Sequence, residues 1–319
     1  MKADVAIVIV SYNSEDHIGA CLDSVFAQRK SVNQQVIVVD NDSRDGTVSL
    51  IRERYPEVEL VVPGANLGFA KGVNLGVRHA NAEFVLLLNP DTVILDHAVD
   101  VVVDFARKNP GHGLYGGRTL RPDGSLEPSS CWGLPSLWSM TLFAFGLTTL
   151  APRSRWLDPE SLGNWKRDTV REVGVITGCF LLSPIEVWNQ LGGLDERYFM
   201  YGEDADLAMR AHHAGYRPVI CPDAKLVHEV GACSDTPVHK TMLLYKGKAS
   251  LVRTHWKGLA QWLGLFFLAT GTGLRAAISR LRSSPGRNDS AGRWQTLWQE
   301  RETWLQGYGG PVNPRGLAG

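Results

Sequence analysis

Residues 84–94 read FVLLLNPDTVI, an apolar run that breaks off at Asn-Pro-Asp-Thr. Five such residues bounded by turn formers describe a strand buried on both faces. A buried strand has no use for a carboxylate at its tip unless something is bound there. Three similar runs precede this one, at 5–10, 35–40 and 58–62, and helical patterns follow the four runs at about 18–27, 47–55, 68–79 and 96–109. Continuous apolar strands alternating with amphipathic helices predict an α/β fold, a mostly parallel sheet with helices on both faces. In such sheets ligands bind at the carboxyl ends of the strands, where the strand order reverses. Ser11, Asp40, Asn66 and Asp91, each at or just past a strand end, should therefore share one rim.

The pattern changes after Gly111. Pro122-Asp123-Gly124 predicts a hairpin turn. Residues 128–152 carry no charge and hold two tryptophans, which suits either a buried helix or one dipping into an interface. Strand character returns over 173–182, followed by helices over 184–191 and about 203–214 and by short strands at 218–222 and 224–228. Beyond 231 the pattern is helical, with a Ser/Pro/Gly linker at 283–288 and an apolar stripe of Trp294, Leu297, Trp298, Trp304 and Leu305. The expected division is a catalytic domain over 1–232, with an insert at about 128–152, and a helical region over 233–319.

Lysine plus arginine and aspartate plus glutamate number 33 each, so bulk charge gives no reason to expect a nucleic-acid partner. Locally the balance tilts: residues 240–293 contain ten basic side chains and one acidic, beside many tryptophans and leucines. That is a solvated face or a membrane-facing one. The uncharged stretch 258–274, interrupted by glycines, is borderline for crossing a bilayer and better suited to lying on it. Five dispersed cysteines without a C-x-x-C pair read as reduced thiols. Only six apolar residues open the chain, too few for a secretory leader, so the start reads as the first strand of a cytoplasmic protein.

Asn89 and Asp91 flank a proline that fixes the local backbone, and alternate positions can point the same way. Oxygen ligands so placed suit Mg²⁺ or Mn²⁺ holding a phosphate, although a turn capping itself would use the same residues. Asp40 and Asp42 could bond a ribose or base, while Ser43 or Asp45 caps the next helix. Residues 11–17 lack the glycines of a dinucleotide grip, and the Gly-rich 63–76 lacks the Gly-Lys-Ser/Thr of a P-loop. Asn66 and Asn74 there remain as polar contacts near a helix start. Glu203, Asp204 and Asp206 crowd the first turn of a helix, where the dipole alone could explain them; the same dipole would help keep Asp204 ionised as a general base. His228 is either a satisfied core histidine or a metal ligand, the latter only if its strand end reaches the Asp91 rim.

In this order, VSYNS, VVDNDSRDGT, NLGFAKGVN, LLLNPDT, TGCFLLSP, GGLDERYFMYGEDADLAMR and the strand ending in His228 resemble the GT-A fold glycosyltransferases, in the large inverting family that includes bacterial rhamnosyltransferases. The resemblance covers about the first three quarters of the chain. It implies that Asp91, in a D-x-D motif whose first position is Asn89, holds the cation on the donor diphosphate. His228 completes that site. Asp40 contacts the base, helped by Ser11, Tyr12 and Asn13, and Asn66, Phe69 and Asn74 belong to the donor-side loop and helix. Asp204 is the catalytic base and Glu203 its neighbour at the acceptor. The donor is dTDP-rhamnose first, with UDP- or GDP-sugars behind it, and the acceptor is a lipid-linked saccharide at the inner face of the membrane. The segment 128–152 and the C-terminal helices would touch the membrane surface, and a homodimer is allowed. Two rivals stand beside this reading. A sugar-nucleotide nucleotidyltransferase needs a Gly-rich first turn with a following basic residue, which 11–17 lack. A noncatalytic binding module would not need both Asp91 and Asp204.

Overall fold

The computed structural model describes residues 2–229, 237–282 and 289–309. Strands β1 (Ala3–Ser11), β2 (Gln34–Asp40), β3 (Glu59–Val61) and β4 (Ala82–Leu88) alternate with helices α1 (Glu15–Ala27), α2 (Thr47–Arg54) and α3 (Phe69–Arg78). They pair in parallel in the order β3-β2-β1-β4, with Val5 to Ile9 almost wholly buried in the middle. The sheet continues through β10 (Phe180–Pro184), β6 (Tyr115–Leu120), β11 (Val219–His228) and β5 (Thr92–Leu95). Here it becomes mixed: β10 runs antiparallel to both β4 and β6, and β5 antiparallel to β11. Because β10 is reversed, its beginning lies beside the end of β4, with Phe180 opposite Leu88. Residues just before β10 therefore reach the same rim as residues just after β4.

Two apolar layers sandwich the sheet. Ile18, Leu22 and Val25 of α1, with Val99, Val102 and Val103 of α4 (Ala98–Lys108), cover one face; Val73 and Val77 of α3 and Trp188 of α7 (Ile185–Leu191) cover the other.

Several expectations are corrected in detail. The run after Asp91 does not pass straight into a helix but first forms β5. The two short strands expected at 218–222 and 224–228 are one strand, β11, whose register shifts between Cys221 and Lys225; Pro222, which cannot donate to a ladder, sits in that irregularity. The single strand expected over 173–182 splits into β9 (Val175–Ile176), paired with β7 (Cys131–Trp132), and β10, while β8 (Arg171–Glu172) pairs with β11 just before it. Cys21, Cys131, Cys179 and Cys221 are buried free thiols. Cys233 and the 283–288 linker lie outside the described residues.

The uncharged insert forms α5 (Leu137–Ala144) and α6 (Leu147–Leu150), broken at Gly146. After α8 (Glu203–His213) and β11 come α9 (Pro237–His255), α10 (Gly258–Arg282), α11 (Asp289–Gln299) and α12 (Arg301–Leu305). Met140 of α5, Tyr245, Ala249 and Val252 of α9, Leu268 of α10, Leu297 and Trp304 form one core. The insert and the C-terminal helices thus fold as a single helical layer. The expected tryptophan stripe is divided: Leu297 and Trp304 are buried, and Trp298 is partly exposed.

Candidate active site

A cleft of about 730 Å³ opens at the carboxyl ends of β1, β2 and β4. Tyr12, Asn66, Phe69, Asn89, Asp91, Glu203, Asp204 and His228 all line it. The two carboxylates on which the sequence reading turns, Asp91 after β4 and Asp204 at the start of α8, face the same space.

Asp91 and His228 meet because β11 pairs antiparallel with β5, with His228 opposite Thr92. His228 Nε2 lies 3.2 Å from Asp91 Oδ1, and Asn89 Nδ2 is 3.4 Å from the same ring nitrogen. Burial pulls the His228 pKa down, but bonding to Asp91 and to Cys179 outweighs it and lifts the value to about 10. Among the described residues no three His, Cys, Asp or Glu side chains converge as a closed metal cage. One carboxylate and one imidazole opening onto a cleft would fit a divalent ion once the ring gives up its proton, with substrate oxygens filling the remaining positions.

On the opposite wall the chain turns tightly into α8. Tyr201 and Gly202 both have positive φ, and a Cβ on Gly202 would lie 2.9 Å from the Tyr198 ring and 3.0 Å from the Cα of Gly247. The turn delivers Glu203 and Asp204 side by side into the cleft. Burial pushes both carboxyls up, Glu203 further because Asp204 adds like-charge repulsion: Glu203 to about 8 and Asp204 to about 6. The amides of Ala205 and Gly178 lean against Asp204 and limit its rise. Glu203 Oε2 has no hydrogen-bond partner among the described residues. Two raised carboxyls side by side favour holding one negative charge between them, with Asp204 the readier to ionise. The sequence reading credited the helix dipole with keeping Asp204 ionised; burial is the larger influence and works against it. Asp206 faces away, salt-bridged to Arg210 and to His255 of α9 at 2.7 Å each.

The remaining expected residues separate into those on the cleft and those behind it. Tyr12 is 41% exposed at the rim. Asp40 is buried and does not line the cleft; it accepts from Ser11 Oγ at 3.1 Å, Ser43 N at 2.9 Å and Ser43 Oγ at 2.6 Å. Asn13 likewise ties two loops together, accepting from Arg44 N and donating its own amide to Ser43 Oγ. Asn74 is a clamp on the loop before α8, bonded to Leu194 N and O and to Glu196. Asn66 accepts from Gly68 N, and Phe69 N donates to Phe199 O, so the Asn66 loop and the Phe199 loop close on each other.

Residues unforeseen from sequence also line the cleft: Asn41, Thr177, Cys179, Trp132, Lys240 and Lys248. Asn41 joins the β2 tip to the Gly68 carbonyl at 3.0 Å. Cys179 arrives through the reversal of β10. The lysines arrive on α9, in a region where the sequence offered only a charge excess.

Comparison with known proteins agrees with this geometry. Residues 6–155 match the model of glycosyl transferase family 2. The N-acetylglucosaminyl-diphospho-decaprenol L-rhamnosyltransferase of Mycobacterium tuberculosis is 35% identical over 234 residues, 70% of this chain and 75% of that protein. Rhamnosyltransferase WbbL of Escherichia coli K12 is 25% identical over 70% of this chain and 83% of its own length. A Pyrobaculum calidifontis mannosyltransferase in complex with GDP-Man and Mn²⁺ superposes with a TM-score of 0.55 at 20% identity, covering 96% of this chain and 84% of that one. The fold is GT-A, and the chain belongs to glycosyl transferase family 2.

Proposed function

We propose that this glycosyltransferase moves L-rhamnose, with inversion, from dTDP-rhamnose to a hydroxyl of an N-acetylglucosamine-bearing lipid diphosphate at a membrane surface. The observation that carries the reading is that Asp91 and Asp204, from distant parts of the chain, line one cleft. The choice of sugar and acceptor is supported by the activity for which the mycobacterial relative is named and by the rhamnosyltransferase name of the E. coli one.

Asp204, ionised at neutral pH, accepts the proton of the acceptor hydroxyl. The hydroxyl oxygen forms its bond to the anomeric carbon as the bond to the donor diphosphate breaks, the electron pair leaving with the nucleoside diphosphate. Glu203, neutral beside it, can donate a hydrogen bond to the acceptor without adding a second negative charge. Tyr12 offers a ring face to the base, and Asp40 acts from beneath, holding the turn that carries Tyr12 and Asn41. Asp91 and His228 would hold Mg²⁺ or Mn²⁺, whose charge would offset that building on the departing diphosphate.

The membrane side follows from α10. Leu259, Trp262, Phe266, Leu274, Ile278 and Leu281 are exposed at intervals of three, four or eight residues, one continuous stripe. Trp138, Phe145 and Leu150 of the α5–α6 insert are exposed as well. The residues Gly258–Leu281 are long and apolar enough to cross a bilayer. Yet α10 is tied sideways to the insert through Arg275, which donates to Phe143 O at 2.9 Å and Thr149 Oγ1 at 3.1 Å and stacks over the Phe143 ring. A helix held along its length by one face lies in the interface with the other.

Release of nucleoside diphosphate from a panel of dTDP-, UDP- and GDP-sugars, with and without Mg²⁺ or Mn²⁺, tests the reading. Turnover of dTDP-rhamnose that depends on the cation and quickens with a GlcNAc-diphospho-lipid supports it; preference for another donor overturns the rhamnose assignment.

A further inference from the structure

The wall of the cleft built by α9 takes no part in the chemistry described so far. Lys240, Leu244, Lys248 and Leu251 occupy successive turns of one face of that helix, and all four line the cleft; α9 contains no acidic residue. The helix sits directly on the turn before the catalytic pair, for a Cβ on Gly247 would lie 2.3 Å from the Tyr201 carbonyl oxygen. Lys240 Nζ is 6.0 Å from the centroid of the Tyr201 ring. Lys248 Nζ is 3.9 Å from Glu160 Oε2, a long and partly exposed ion pair. Glu160 belongs to the far wall, its carbonyl accepting from Gly133 N beside Trp132. Lys240 thus stands beside the turn that carries Glu203, and Lys248 beside the Glu160 segment.

Leu244 lies one turn from each lysine on the same helix face, and Trp132 and Pro135 also line the cleft. Eight residues of helix separate the two Cα atoms by roughly 12 Å, which two flexible four-carbon stems can close onto one anion. Paired ammonium groups set in an apolar wall match a diphosphate joined to a hydrocarbon chain; a neutral glycan would have no use for them.

We propose that Lys240 and Lys248 bind the diphosphate of the lipid-linked acceptor, an inference that rests on the function proposed above. The donor supplies the same chemistry from a second source, and its site is marked by Asp91 and His228. The seat of α9 on the Tyr201–Gly202 turn, beside Glu203, assigns the lysines to the acceptor.

Steady-state kinetics of the full chain in detergent micelles separate the sources. The acceptors are N-acetylglucosaminyl diphosphate on an alkyl chain and the matching alkyl glycoside without phosphate; the donor is dTDP-rhamnose. Replacing both lysines (Lys240→Gln with Lys248→Gln) should raise KM for the diphosphate acceptor about tenfold or more, with KM for the donor and for the phosphate-free acceptor held within about twofold. Arginine at both positions should restore the diphosphate KM, which a merely structural role would not require. An equal rise in donor KM overturns the assignment in favour of the donor diphosphate, and equal loss on both acceptors overturns it in favour of a packing role. If the unaltered chain glycosylates neither acceptor, the function itself fails and this proposal with it.

Discussion

Replacing Asp204 with asparagine should split activity from stability in opposite directions. The side chain keeps its shape and its place at the start of α8, but it can no longer accept the acceptor proton. Loss of a general base costs about two to four powers of ten in kcat, on the order of 3 to 5 kcal/mol of barrier. The native carboxylate, meanwhile, is costly to the fold. Burial moves its pKa from 3.8 to about 6. A carboxyl whose folded value is raised binds its proton more tightly when folded, so its favourable contribution is complete below pH 4 and is lost as pH rises through 6. Above that point the charge destabilises the chain by on the order of 3 kcal/mol, which a neutral amide recovers in part. For a chain of 319 residues that is a rise of roughly 4 °C in melting temperature. Transfer of sugar to acceptor and thermal unfolding at pH 7.5 would be measured on the same preparation. A variant that retains a third or more of the native kcat, or one that loses activity together with melting temperature, would refute the reasoning.

The pH profile of kcat should be bell-shaped, falling below about 6 as the pair's base is protonated and above about 8 as Glu203 loses its proton beside Asp204. Glu203→Gln should remove the alkaline limb and keep the acid one; retention of both limbs would assign them elsewhere. Chelation with EDTA should abolish turnover and either Mn²⁺ or Mg²⁺ should restore it, while Asp91→Asn should lower cation-supported turnover by at least about a hundredfold, checked by donor hydrolysis against cation concentration. Gly68→Ala combines a φ of +79° with a Cβ 2.4 Å from the Phe199 carbonyl oxygen, so it should destabilise the chain by about 1–3 kcal/mol and raise donor KM, read by urea unfolding and by kinetics. Serine at both Trp262 and Phe266 should weaken co-sedimentation with anionic vesicles about tenfold or more, since each ring forfeits on the order of 2 kcal/mol of burial; unchanged binding would remove α10 from the membrane surface.

The sequence made the first half of the sheet plain, because each parallel strand is a continuous apolar run and each crossover a helix of ordinary length. It also put Asp91, Asp204 and His228 on the page, since carboxylates and a histidine at the ends of apolar segments stand out by type. What it could not display was the reversal of β10. No periodicity distinguishes a strand that runs antiparallel, yet that reversal carries Thr177 and Cys179 to the rim. Burial was equally illegible: Glu203 and Asp204 read as the crowded first turn of a helix, and only the fold desolvates them beside each other.

The helical layer makes the same point about domains. Cutting the chain at residue 232 separates α9 from the sheet on paper, but in space α9 bridges two structures. Its Asp206–His255 salt bridge and its seat at Gly247 fasten it to α8 and to the turn that aims Glu203 and Asp204. Its Tyr245, Ala249 and Val252 fasten it to α10, α11 and the α5 insert. The face proposed to lie on the membrane and the carboxylate proposed to take the proton are therefore two sides of one packed body, joined in part through α9. Severing the joint at His255, by its replacement with alanine, would leave Asp206 paired with Arg210 alone, and it should loosen α9 and reduce transfer to a lipid acceptor more than hydrolysis of the donor.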